Sequence, residues 1–84
     1  MRECQKQICQ AIIKKRDWGG SNVVVTTINN VTKISFYGSV IGLVDHNNRT
    51  AKCDNCGYCN ACTTARINAI IMACNELKYK VTRV

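Results

Sequence analysis

From residue 22 to residue 53 the chain alternates apolar and polar side chains, and the apolar and neutral positions are filled largely by Val, Ile, Thr, Phe and Tyr. A period of two in β-branched and aromatic residues is the chemistry of strands, because such side chains suit a pleated surface. Whatever fold the chain adopts must therefore hold a sheet at its centre and cover at least one face of it. "NVVVTTI" and "VTKISFY" are separated by Asn29-Asn30, which tolerates the left-handed backbone of a tight hairpin. A second turn is expected at Gly38-Ser39 before "VIGLVD", and "HNN" then leads into "RTAKC". The pattern predicts an antiparallel meander of about three or four strands. In its second strand Ile34 and Phe36 share one face, while Lys33, Ser35 and Tyr37 share the other, so one side should meet a core and the other water or a partner.

Helical periodicity flanks this region on both sides. Cys4, Ile8, Ala11, Ile12 and Ile13 lie close to one helical face, with Lys6, Lys14, Lys15 and Arg16 outside it, which predicts an N-terminal helix over residues 3–15 ended by Gly19-Gly20. Lys14, Lys15 and Arg16 suit the negative end of that helix's dipole, so they have a structural use before any ligand is invoked. Further on, Ile67, Ile70, Ile71, Cys74 and Leu77 recur at i, i+3, i+4 and i+7 and predict a C-terminal helix over residues 64–78, packed on one sheet face. The tail "KYKVTRV" has strand composition and could return to the sheet edge. The fold class is α+β, in a single small domain over residues 1–84.

At 84 residues the core supplies only about 3–5 kcal/mol, so a staple would help the fold. No apolar run reaches the roughly 18 residues that span a bilayer, and polar side chains interrupt the N-terminal segment. That reading places the chain in the cytosol, where thiols stay reduced. Seven cysteines are then better read as free, packed or metal-bound than as a disulfide frame.

Four of them, Cys53, Cys56, Cys59 and Cys62, recur every third residue. "CDNCG" looks like half of a zinc knuckle, since a Cys-x-x-Cys turn brings two sulfurs to one ion and the glycine eases the turn. Against a full site, only Gly57 and Tyr58 separate the second pair from the first, and neither a two-knuckle spacing nor a ferredoxin spacing is completed. Two readings stand: a structural zinc held by these four thiolates, or small apolar residues packed like Cys4, Cys9 and Cys74. On either reading Thr63 or Thr64 is expected to cap the following helix.

"ISFYGSVIG" and "GYCNACTTARINAI" together resemble two segments, in that order, of a family of small proteins encoded by tailed bacteriophages. The likeness extends over most of residues 21–74 and rests on Gly38, Ile41, Gly57, the aromatic Tyr58, Thr63, Arg66, Asn68 and Ala69. The chain departs from the family pattern at Tyr37, Tyr58 and Cys62, where His, Trp and Thr are usual, and the other clustered cysteines are not a family feature. The resemblance implies a phage origin and an α+β fold, and it carries no activity with it.

No nucleophile with its base, paired carboxylates or phosphate loop is visible, and His46 in "DHNN" reads as an exposed loop residue, so a non-enzymatic protein is expected. Twelve Lys and Arg against five Asp and Glu give a net charge of +7, which favours an anionic partner. The first functional reading is a small binding module for nucleic acid or a nucleotide. Its phosphate contacts would come from Lys14, Lys15, Arg16, Lys33 and Arg66, joined by Arg49 and Lys52, with Trp18, Tyr37 and Tyr58 as stacking faces, Trp18 reading first as a packing residue. The second is a phage inhibitor of a host enzyme or defence complex, with its charge complementary to an acidic groove.

Overall fold

The computed structural model describes residues 3–20, 22–54 and 61–83. Helix α1 (Glu3–Lys14) is followed by β1 (Trp18–Gly20), β2 (Val23–Ile28), β3 (Val31–Phe36), β4 (Ser39–Asp45) and β5 (Thr50–Cys53), then helix α2 (Ala61–Leu77) and β6 (Lys80–Arg83). Among the described residues these strands form one six-stranded sheet in sequence order, β1 through β6. The first four pairings are antiparallel and the last, β5 with β6, is parallel. A parallel neighbour cannot be reached by a tight turn, and α2 supplies the crossover.

The sheet is larger than the meander the sequence predicts. Trp18–Gly20 adds an edge strand by pairing with Val23–Val25, and the tail adds the other edge. The β2–β3 hairpin turns at Asn29-Asn30, both at positive φ. The next turn falls at Tyr37-Gly38, one residue before the expected Gly38-Ser39, with φ of 52° and 80°. Both φ values are positive, as a two-residue hairpin matched to strand twist requires. This earlier turn removes Tyr37 from the strand face that its spacing suggested.

Both helices lie on the same side of the sheet, so one face is covered and the other is open. The covered face carries Val23, Val25, Ile34, Phe36, Val44, Ala51 and Cys53, all buried. In β4 the register slips between Ile34↔Gly42 and Ser35↔Val40, leaving Ile41 as an extra residue, and both Ile41 and Gly42 end up buried. A Cβ on Gly42 would sit 2.7 Å from Ile70 Cδ1. The missing side chain is what lets α2 approach β4 so closely.

Helix α1 buries one stripe, Ile8, Ala11 and Ile12. Helix α2 buries two: Thr63, Ile67, Ile70 and Cys74 toward the sheet, and Ala69 and Ala73 on the side where Ala65 accepts a hydrogen bond from Gln5 Nε2 of α1 at 3.0 Å. A helix wedged between a sheet and a neighbour must be apolar on more than one face. The helix begins at Ala61, so Thr63 and Thr64 lie inside its first turn and do not cap it from outside. Ile71 and Leu77, expected at the centre of the contact, are only half-buried; Ile70 is its deepest large side chain.

Candidate basic pole and open sheet face

The two helices run in the same direction. Gln5 meets Ala65 near their starts, and Ile13, Met72 and Glu76 line one groove near their ends. Each helix closes in the same way. In α1 the Arg16 amide donates to Ala11 O at 3.0 Å and the Lys15 amide to Ile12 O at 3.3 Å; in α2 the Tyr79 amide donates to Cys74 O at 2.8 Å and the Lys78 amide to Asn75 O at 3.1 Å. This paired pattern satisfies the last carbonyls by putting one residue into the left-handed region, a position that glycine usually occupies. Here the residues are Lys15, at φ 55°, and Lys78, at φ 62°.

The β4–β5 turn reaches the same end of the molecule. The His46 amide donates to Asn30 O at 2.9 Å, and the Lys80 amide donates to Arg49 O at 3.1 Å. Arg49 is also left-handed, at φ 57°. Lys14, Lys15, Arg16, Arg49, Lys78 and Lys80, all exposed, therefore surround one pole. Three acids lie near these cations: Glu76 in the last turn of α2, and Asp17 and Asp45, which are held by hydrogen bonds within the fold. Asp17 Oδ1 accepts the Thr27 amide at 3.0 Å, and Asp45 accepts the amides of Asn47 and Asn48 and the Asn48 side chain. The Asn48 backbone and side-chain bonds, with the Asn47 amide behind them, hold the Asp45 carboxyl below its ordinary pKa.

Beneath the pole lies a buried polar chain. Thr27 Oγ1 and Thr32 Oγ1 are 2.7 Å apart, Thr32 Oγ1 is 2.8 Å from His46 Nε2, and His46 Nδ1 is 3.0 Å from Tyr79 OH. His46 is only 7% exposed, which corrects its reading as an exposed loop residue. The turn tucks the ring under Tyr79, whose plane meets it edge-on at 5.6 Å. Burial, then the nearby charge of Lys15, push the imidazole pKa down, opposed by Asp45. Both ring nitrogens are engaged, so the group is a structural connector. The partners that make it so, Thr32 and Tyr79, lie 14 and 33 residues away in sequence, where local spacing gives no sign of them.

The open face of the sheet is the other exposed feature. Val24, Ile28, Val40 and Leu43 stand out of it, with Ile28 65% exposed. Lys33 lies between Thr26 and Leu43, and Lys52 lies between Leu43 and Thr82. The hollows on this face are shallow and converge on Leu43.

The residues expected from the sequence to form one binding surface are not brought together. Lys14, Lys15 and Arg16 sit at the pole and Lys33 on the open face. Arg66 and Tyr37 sit at the opposite end of the strands, roughly 20 Å from the pole for strands of this length. The Arg66 guanidinium lies 5.0 Å over the Phe36 ring, and Tyr37 meets the same ring edge-on at 4.6 Å. The Tyr37 hydroxyl accepts a hydrogen bond from Asn22 Nδ2 at 3.0 Å. Tyr58 lies outside the described residues.

Of the expected zinc ligands, Cys53 is buried in β5 on the covered face. Burial raises its thiol pKa, with Arg83 pulling the other way. Cys74 beside it is pushed up to about 11, chiefly by burial and then by Cys53 and Cys9. Both are protonated core thiols at neutral pH, and zinc would have to displace a proton to bind Cys53. Cys56, Cys59 and the side chain of Cys62 lie outside the described residues. Among the described residues no group of three or more His, Cys, Asp and Glu side chains converges as a metal site, and no helix is long and apolar enough to cross a membrane.

No curated protein and no solved structure matches the chain. A family model does, over nearly its whole length: that of the Kyanoviridae Gp96 protein matches residues 1–83, so the chain belongs to this family of phage proteins.

Proposed function

We propose that this phage protein works in the host cytosol as a non-enzymatic nucleic-acid-binding module, engaging phosphates through its basic pole. The observation that carries the reading is the clustering of Lys14, Lys15, Arg16, Arg49, Lys78 and Lys80 at one end of the fold, where six cations outnumber the nearby Asp17, Asp45 and Glu76. Cations gathered on one end create the local positive potential that draws a polyanion and releases its counterions. His46, the sole histidine, is tied into a buried chain on both nitrogens, which supports binding in preference to catalysis. Retention of labelled DNA and RNA by the purified protein, measured across a salt series, tests the reading. Affinity should fall steeply as salt rises; absence of binding at low salt, or a flat salt response, would refute it.

The open sheet face favours a second reading, in which the protein blocks a host enzyme or defence complex by contact. Its support is the exposure of Val24, Ile28 and Leu43, the last flanked by Lys33 and Lys52. A pull-down from host lysate, with and without nuclease, separates the two. One host protein retained after nuclease treatment, and lost on Leu43→Asp, would favour inhibition.

A further inference from the structure

Among the described residues, seven other than glycine lie at positive φ: Asn22, Asn29, Asn30, Lys15, Tyr37, Arg49 and Lys78. The three asparagines need no special account, since their short amides tolerate the left-handed region. The other four do. Three of them are the cations Lys15, Arg49 and Lys78, and all three lie at the basic pole. A left-handed long side chain is costly compared with glycine, and such a cost persists at sites where something else demands the residue.

Helix dipoles account for only one of the three. Lys78 follows a helix whose last turn carries no basic residue and so serves the α2 dipole. At α1, Lys14 already sits in the last turn, in ordinary helical geometry, and meets that need without strain. Arg49 lies in the β4–β5 turn, where no helix ends. At Lys15 and Arg49 backbone conformation alone would favour Gly or Asn. All three cationic side chains are exposed.

Resting on the reading of the pole as a nucleic-acid site, we infer that Lys15, Arg49 and Lys78 form its primary phosphate contacts and grip the backbone of a duplex. Single-strand binders rely on aromatic platforms. The aromatics near this pole are already occupied: Tyr79 is hydrogen-bonded to His46, and the Trp18 ring lies against Gly20, where a Cβ would be only 3.0 Å away. What the pole offers is cations on three separate segments, after α1, in the β4–β5 turn and after α2, the kind of contact that positions a duplex through its phosphates and carries no base readout.

The test pairs Lys15→Gly/Lys78→Gly with a control of equal charge loss away from the pole, Lys6→Gln/Arg83→Gln. Arg49→Gly is measured alone. Probes are a fluorescent DNA duplex of mixed sequence and one of its single strands, titrated across a salt series. The pole double variant should melt at a higher temperature than the parent, because glycine relieves both strained positions, and should nevertheless bind the duplex more weakly. Each lost phosphate contact should lower the magnitude of the log–log salt slope by about 1, so about 2 for the pair and about 1 for Arg49→Gly. The control should move the slope less than the pole pair. Duplex affinity and slope unchanged in the pole variants, or a loss equal to the control's, would overturn the inference while leaving nucleic-acid binding intact. Preference for the single strand would overturn the duplex. Failure of the parent to bind either probe would instead remove the underlying reading.

Discussion

His46 ties several distant elements together through its two nitrogens, and its protonation should be felt by the whole fold. Its folded pKa is lowered from the ordinary imidazole value of about 6.5, while in the unfolded chain it titrates near that value. As pH falls through about 6.5 the unfolded state takes up a proton that the folded state resists, so stability drops there and levels off once pH passes the folded pKa. Urea denaturation between about pH 7 and pH 5 should show this loss, and His46→Gln should flatten it. Asp45 acts in a lower window, because its depressed carboxyl pKa makes its contribution disappear only under more acidic conditions. Cys53 invites a second test at this scale. Its thiol is a buried packing group, and serine there would bury a hydroxyl at a cost of about 1–3 kcal/mol. That cost should be the same with and without a strong chelator. If chelator-treated parent protein melts like Cys53→Ser, the thiol is a metal ligand.

Among the described elements, α2 contributes the most buried apolar residues, and its two buried stripes make its substitutions unequal. Ile70→Ala should destabilise by about 2–5 kcal/mol, since the side chain is wholly buried against Gly42 and Ile34. Ile71→Ala should cost clearly less, because Ile71 is half-buried at the margin; equal costs, measured by denaturant unfolding, would mean that the helix is rotated from the position described. This unequal pair marks how far the sequence was legible. The i, i+3, i+4 repeat found α2, and the period of two found β2 to β5, because both patterns are local and set by one dominant buried face. The repeat could not say which isoleucine sits deepest, because α2 packs against α1 as well as the sheet and its buried arc is wider than a single stripe. Trp18–Gly20 looked like a helix terminator because its glycines break a helix equally well when they form an edge strand. Tyr37 was assigned to a strand by spacing alone, and the neighbouring glycine drew the turn one residue forward. At the basic pole Lys14, Lys15 and Arg16 were visible as a run, whereas Arg49, Lys78 and Lys80 join them only through the parallel arrangement of the helices and the β5–β6 pairing.

Over the whole molecule, the net charge of +7 is distributed unevenly, and this ties stability to binding in opposite senses. Folding brings the helix ends at Lys14–Arg16 and Lys78–Lys80 to one pole with Arg49, although they are far apart in the chain. Like charges so gathered repel, and in the unfolded ensemble they are dispersed. Sodium chloride screens exposed charges over a length of about 10 Å at 0.1 M, so adding it from low ionic strength should relieve this repulsion and raise the melting temperature. Added salt also weakens association with a polyanion, because each counterion released into a saltier bulk gains less entropy. Thermal melts and duplex titrations over one salt series should therefore run in opposite directions, stability rising while affinity falls. The Lys15→Gly/Lys78→Gly variant should show a shallower response in both, since it removes charge from the repelling cluster and from the binding site at once. A melting temperature that falls with added salt would mean that attractive ion pairs outweigh repulsion in the fold, and the uneven charge would then have no bearing on stability of the kind argued for the pole.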